Sequence, residues 1–345
     1  MRICVFGAGA VGGHLAVKLA LGGHDVSVVA RGEHLAAIRR GGLTLRVREK
    51  SLVGVVRASD RADELGPQDV VISTLKATGL TSLAQQAAPL LDPATTVVFA
   101  QNGIPWWYPI GLASARPAPP DLSRLDPGGL LAAAVAPQRV IGSVIFSSNQ
   151  VVEPGVIVND SPDSNFLIIG EPDDSQSPRV QQLRAALEQS GVSSPATTDI
   201  RKTLWGKLLM NLSGSTLCLL TEQPVGVLAD NESLRQIFGR LVREGSAIAT
   251  AHGVPIDATQ SESDLLQRLG RIPGHRPSIL QDYELGRPME IDSIIMMPQA
   301  FGRVAGVATP TLDVIAALAA TRAAARGAYY FFISGQTLLE AGRNA

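Results

Sequence analysis

The chain has 345 residues, 30 basic and 31 acidic, for a formal net charge of −1. A balance this even, at 18 % charged residues, gives no basic field for nucleic acid or an anionic membrane surface, and 45 % apolar content excludes a disordered chain. Two cysteines, Cys4 and Cys218, make neither a disulfide framework nor a metal cluster and fit a reducing cytoplasm, while the length predicts two domains at roughly 150 residues each.

Met1 and Arg2 precede an apolar run that imitates a secretion signal, but Gly7, Gly9, Gly12 and Gly13 interrupt it. No stretch reaches the roughly 18 uninterrupted apolar residues of a membrane span. The expectation is a cytoplasmic protein with no membrane partner. β-Branched runs at 2–6, 25–29, 69–74, 95–100, 139–146 and 165–170 predict strands, and the Ala/Leu-rich stretch 11–23 predicts a helix stopped by Gly22 and Gly23. Strands separated by helices imply a mostly parallel, doubly wound α/β sheet. Residues 151–160, followed by 165–170, read as a late antiparallel addition, and 177–191 as an amphipathic helix opening on Ser177-Pro178.

Beyond about residue 200 the pattern is helical: 200–221, 231–252, 260–270, 276–285, 289–305 and 311–327. Breaks or kinks are expected at Pro224, Gly253, Pro255, Pro273, Pro277, Pro298 and Pro310. The predicted organisation is a dinucleotide-binding α/β domain over 1–198 and an all-helical domain over 199–345. Segment 105–138 is Pro/Gly-rich and holds two of the three tryptophans; it reads as an exposed insertion or as a lid over substrate.

Gly7-Ala8-Gly9-Ala10-Val11-Gly12 follows a strand and opens a helix, the context in which a G-x-G-x-x-G loop holds a pyrophosphate. Gly7 permits the tight turn, Gly9 the approach of a phosphate, and Gly12 close packing of helix on strand. At the end of the second strand stands Arg31, where a site for NAD would carry Asp or Glu; Arg suits the 2′-phosphate of NADP(H), and a surface charge is the alternative.

Only five of the thirty basic residues are lysines. One of them, Lys207, lies in the most apolar helix of the second half, where an ammonium is expensive to bury unless paired or functional. Unlike arginine it can release a proton, so it is a candidate acid, with a snorkelling surface lysine as the alternative. Asn211 at i+4 and Ser215 at i+8 share its face if the helix is regular.

These residues carry a resemblance. GAGAVG at 7–12, TLKA at 74–77, QNG at 101–103, WGKLLMN at 205–211, SILQD at 278–282 and GRPMEID at 286–292 resemble, in order and spacing, the ketopantoate reductase (2-dehydropantoate 2-reductase) family. The resemblance implies a Rossmann-type domain followed by a helical domain like the C-terminal domain of 6-phosphogluconate dehydrogenase. It also implies NADPH-dependent reduction of 2-dehydropantoate on the way to pantothenate. By position, Lys207 resembles the family's proton donor and Glu290 its carboxylate near nicotinamide and substrate. Asn102 resembles the residue between cofactor and substrate hydroxyl, and Asn211 and Ser278 match substrate-binding positions. Lys76 and Ser148 match cofactor contacts. From the residues alone, Glu290 could cap a helix, with Asp292 as a competitor; Asn102 could serve a turn, and Ser278 a helix start.

Two departures affect substrate choice. Ser215 and Val225 stand where well-known members have asparagines, and the Trp106-Trp107-Tyr108 loop is longer than theirs. The expected partner is a small 2-oxo acid. The alternatives are a related dehydrogenase for another 2-oxo or imino acid, and a non-catalytic NADP(H) sensor. The apolar stretch 315–334 fits a homodimer interface and internal packing equally well.

Overall fold

The computed structural model describes residues 1–163 and 165–330. The chain divides into two compact units: Met1–Leu112 with Asp126–Thr203, and Ala113–Leu125 with Leu204 onward.

The first unit begins with strand β1 (Arg2–Phe6), helix α1 (Ala10–Leu21), β2 (Asp25–Val29) and α2 (Gly32–Gly41). Three short strands follow, β3 (Leu43–Val47), β4 (Lys50–Gly54) and β5 (Arg57–Ser59), then β6 (Gln68–Ser73), α3 (Leu80–Gln86) and β7 (Leu91–Phe99). Next come α4 (Leu130–Ala134), β8 (Val140–Phe146), β9 (Asn149–Glu153), β10 (Val156–Asn159), β11 (Phe166–Gly170) and α5 (Pro178–Gln189). Seven strands form one sheet in the order β11-β8-β7-β6-β1-β2-β5. Six run parallel, in the arrangement of nucleotide-binding doubly wound sheets, and β11 pairs antiparallel with β8.

A second sheet, β4-β3-β10-β9, departs from the sequence reading. The 151–160 segment does form an antiparallel pair, β9 with β10, but β10 then pairs parallel with β3 rather than extending the main sheet. Helix α1 packs against strands of both sheets, which explains why it is apolar almost all round and buries Gly12 through Val17.

Of segment 105–138, residues 105–108 are not part of an exposed insertion, whereas most of 111–138 is exposed or half-buried. Trp106, Trp107 and Tyr108 are buried, and Trp106 meets Phe99 edge-on at 5.3 Å between centroids. Arg201, itself buried, donates to the carbonyls of Tyr108 (2.6 Å), Ile110 (2.7 Å) and Pro172, with its guanidinium over the Tyr108 ring. Arg201 serves the Tyr108 and Ile110 carbonyls while turn bonds within the loop, Tyr108 N–H to Pro105 and Ile110 N–H to Trp107, pair other backbone groups, so its aromatic rings can serve as core. Residues 113–125 belong to the second unit.

That unit is helical. Helix α6 (Ile200–Met210) runs into a π-turn, Asn211–Ser215, and on into α7 (Thr216–Thr221). Then come α8 (Val225–Asp230), α9 (Glu232–Ala251), α10 (Ala258–Arg271) and α11 (Ser278–Glu284). A second π-turn, Asp292–Met296, leads into α12 (Met297–Val304), and α13 (Pro310–Ala325) follows. Pro298 does not end its helix; it directly follows the second π-turn, and that irregularity in the winding accommodates a residue with no N–H to give. The core packs around α9, with Trp205 against Phe301 and His252 Nε2 bonded to the Phe301 carbonyl at 3.0 Å. No helix among the described residues is long and apolar enough to cross a membrane.

Candidate active site

In the first unit, β1 ends in the glycine-rich loop. Gly7 has φ +103°, and its amide and that of Ala8 both donate to the Val29 carbonyl at 3.1 Å. A Cβ on Gly12 would fall 2.0 Å from the Gly7 oxygen and 2.4 Å from Thr74 Oγ1, so packing alone demands glycine there. Gly9 differs: a Cβ on it would meet no protein atom within 4 Å. No side chain caps the start of α1, and no carboxylate stands in its first turn. The first amides of the helix and its positive dipole end are thus offered to an anion, and Gly9 lets that anion approach the backbone. The loop therefore fits the diphosphate of a dinucleotide.

The other first-unit candidates line up beside it. Arg31 follows β2, is exposed, and donates from Nη2 to Ser82 Oγ at 2.5 Å. Half-buried Lys76 follows β6, and half-buried Asn102 follows β7, just before Gly103 with φ +77°. Ser148 joins β8 to β9, its carbonyl accepting the Asp160 N–H at 2.9 Å. The structure brings Gly7–Gly12, Arg31, Lys76, Asn102 and Ser148 to the carboxyl ends of five neighbouring parallel strands, where doubly wound sheets bind ligands.

In the second unit, Lys207 is half-buried on α6 and Glu290 is buried. Burial pulls the Lys207 ammonium down to about 8, and the negative charge of Glu290 opposes that shift. Asn211 begins the first π-turn and Ser215 ends it; Thr216 Oγ1 donates to the Asn211 carbonyl at 3.2 Å. The regular i, i+4, i+8 face expected for Lys207, Asn211 and Ser215 is therefore interrupted after Asn211, because the π-turn adds a residue to the winding. Ser278 is exposed at the start of α11.

Glu290 stands just before the second π-turn, as Lys207 stands in the last turn of α6 before the first. Asp292 is otherwise engaged: its Oδ1 accepts from Arg124 Nη1 at 3.1 Å and from the Tyr329 hydroxyl at 2.9 Å. Burial still raises its carboxyl above the usual range. Arg124 comes from the 113–125 segment, and nothing in that Pro-rich stretch signals a partner for Asp292. Val225 is buried, and its amide is bonded to the His275 carbonyl at 3.0 Å. Cys4 and Cys218 are buried thiols, both pushed up to about 12 by desolvation, and no metal-ligand cluster occurs among the described residues.

The family model for ketopantoate reductase PanE/ApbA matches residues 3–110, and the model for its C-terminal domain matches 199–323. A 2-dehydropantoate 2-reductase of Mesorhizobium japonicum is 40 % identical over 332 residues, covering 95 % of this chain and all of the relative. One from Pyrococcus horikoshii is 26 % identical, over 85 % of this chain and 88 % of its own. The crystal structure of 2-dehydropantoate 2-reductase from Geobacter metallireducens superposes with a TM-score of 0.79 at 26 % identity, covering 92 % of this chain and 99 % of that one. The chain belongs to the ketopantoate reductase family, oxidoreductases that act on CH–OH groups.

Proposed function

We propose that this protein reduces the C2 ketone of 2-dehydropantoate to the alcohol with NADPH, a step of pantothenate biosynthesis in the cytoplasm. The observation that carries the reading is Lys207: a half-buried ammonium, drawn down to about 8 by burial, with the charge of Glu290 acting on it. Such a group holds a proton at neutral pH and gives it up readily.

When bound, the nicotinamide supplies hydride to C2. The amides at the start of α1 hold the diphosphate, and Arg31 receives the 2′-phosphate, its guanidinium pre-oriented by Ser82. Lys76 and Ser148 would add cofactor contacts, and Asn102 would offer its side chain to the cofactor and to the substrate hydroxyl. Lys207 Nζ donates its proton to the C2 oxygen, so hydride and proton together convert the ketone to CH–OH. Glu290 keeps Lys207 charged until transfer and orients the reacting groups, while Asn211, Ser215 and Ser278 bind the polar ends of the substrate.

A second reading keeps the chemistry and changes the substrate. Val225 offers no side-chain amide and its backbone amide is already bonded, so it cannot give a substrate the amide contact that an asparagine there would. The test is steady-state oxidation of NADPH and of NADH against a panel of 2-oxo acids. The highest kcat/KM is expected for 2-dehydropantoate with NADPH, and Lys207→Ala should lose most of kcat. A preferred substrate elsewhere in the panel selects the second reading; full turnover by Lys207→Ala defeats the mechanism in both.

A further inference from the structure

The glycine-rich loop carries three carbonyl oxygens that could face an incoming anion, and the protein holds each of them. The Gly9 oxygen accepts the Gly13 amide at 2.7 Å, and the Gly7 oxygen accepts Thr74 Oγ1 at 2.5 Å. The Ala8 oxygen is bonded to His34 Nε2 at 2.7 Å.

His34 is half-buried on α2, and its other ring nitrogen, Nδ1, lies 3.0 Å from the amide nitrogen of Gly155, in the turn between β9 and β10. A backbone N–H can only donate, so Nδ1 is the acceptor, and Nε2 carries the proton it gives to Ala8. Gly155 is fixed in turn, its oxygen accepting the Thr44 amide of β3 at 2.9 Å. A continuous line of hydrogen bonds therefore runs from the second sheet, through one imidazole, to the loop.

The Ala8 carbonyl and the Gly9 N–H belong to one planar trans peptide and point in opposite directions. Next to a glycine such a peptide turns over at low cost, and the wrong orientation would aim carbonyl lone pairs, not an amide, at a phosphate. We propose that His34 is a positioning residue for the cofactor diphosphate: by holding the Ala8 carbonyl it fixes the direction of the Gly9 amide, with the second sheet as its anchor. The inference rests on the nicotinamide-dinucleotide reading of the loop.

The test compares His34→Asn, His34→Gln and His34→Ala in the full chain by titration of NADPH fluorescence, thermal unfolding and steady-state kinetics. Asn places an acceptor where Nδ1 stands and keeps the bond to Gly155 but cannot reach Ala8, whereas Gln places an amide donor where Nε2 stands. The expected result is a Kd for NADPH raised about tenfold in His34→Asn and His34→Ala, and restored to within about threefold of wild type in His34→Gln. At saturating NADPH, kcat and the KM for the oxo acid should stay within about twofold of wild type. Wild-type affinity in His34→Asn overturns the inference, as does a loss confined to kcat at saturating cofactor. If the unaltered protein binds neither NADPH nor NADH, the dinucleotide reading fails and the inference falls with it.

Discussion

Lys207 and Glu290 share one electrostatic environment: the carboxylate raises the affinity of the lysine for its proton while burial lowers it, leaving the ammonium near 8. Removing the carboxylate charge removes the opposing half of that balance. In Glu290→Gln the Lys207 pKa should fall further below its ordinary value. A donor must be protonated, so reductive kcat/KM declines as pH rises through the Lys207 pKa. The alkaline limb of the pH profile should therefore lie near 8 in the wild type and move to lower pH in Glu290→Gln. An unmoved limb would show that another group sets it.

The same lysine makes a stability prediction. Its folded pKa lies below the unfolded value, so between about 8 and 10.5 the unfolded chain holds a proton that the folded chain has released. Folding stability contributed by this residue therefore rises with pH across that window. Denaturant unfolding of the wild type and Lys207→Met at a series of pH values should show their difference shifting in favour of the wild type from pH 8 to 10.5. A constant difference would mean that the lysine titrates at its ordinary value.

Gly9 and Gly12 should separate binding from folding. The Cβ of Gly12→Ala would collide with the Gly7 carbonyl, forcing the loop off α1, so it should lose both cofactor affinity and several degrees of Tm. Gly9→Ala meets no protein atom and has φ −67°, open to any residue. It should unfold like the wild type yet bind NADPH at least about tenfold more weakly, because the methyl group occupies the approach to the backbone. Calorimetry and fluorescence titration of the two variants read both quantities.

Arg31 should govern the choice between the two nicotinamide cofactors. A guanidinium already oriented by Ser82 loses little freedom on meeting a phosphate. Arg31→Ala is expected to raise the Kd for NADPH about tenfold or more and leave that for NADH within about twofold. The discrimination should shrink as salt is raised, since the arginine is exposed. Equal losses for both cofactors would assign Arg31 elsewhere.

Arg201 carries a purely structural prediction. Its guanidinium serves carbonyls of Tyr108, Ile110 and Pro172 in the interior. Arg201→Leu would strand those acceptors and should cost about 2–4 kcal/mol in denaturant unfolding. A cost below about 1 kcal/mol would mean that water reaches the loop.

The main strands are legible in the sequence because they are buried on both faces, and run after run of Val, Ile and Phe marks them, as in Arg2–Phe6 and Asp25–Val29. The second sheet is not. Strand β4 is mostly exposed and contains Lys50 and Ser51, and the β3–β4 turn uses Arg48 at φ +53° instead of the Asn-Gly that signals a hairpin. The π-turns leave no mark on the sequence, since Asn211–Ser215 and Asp292–Met296 are buried almost all round and carry no apolar stripe to shift. Trp106 and Trp107 sit in a Pro/Gly-rich context that reads as surface, and the partners that make their burial possible, Phe99 and the distant Arg201, leave no signal near them. Lys76, Asn102 and Ser148 form a group in the sequence only by resemblance, since strand order, which brings them together, is not a local property. His34 carries no signal in the sequence, because its two partners lie 26 and 121 residues away.

The assignment of residues 113–125 to the helical unit means that the polypeptide passes from one unit to the other at three places, near 112, 125 and 203. The two units are not beads on a string that can be recombined at a single joint. A chimera built by exchanging everything before residue 204 would import a foreign segment opposite Asp292 and replace the Arg124 that holds it. Any exchange that joins this chain's helices to another cofactor domain must carry residues 113–125 along with the helices they serve.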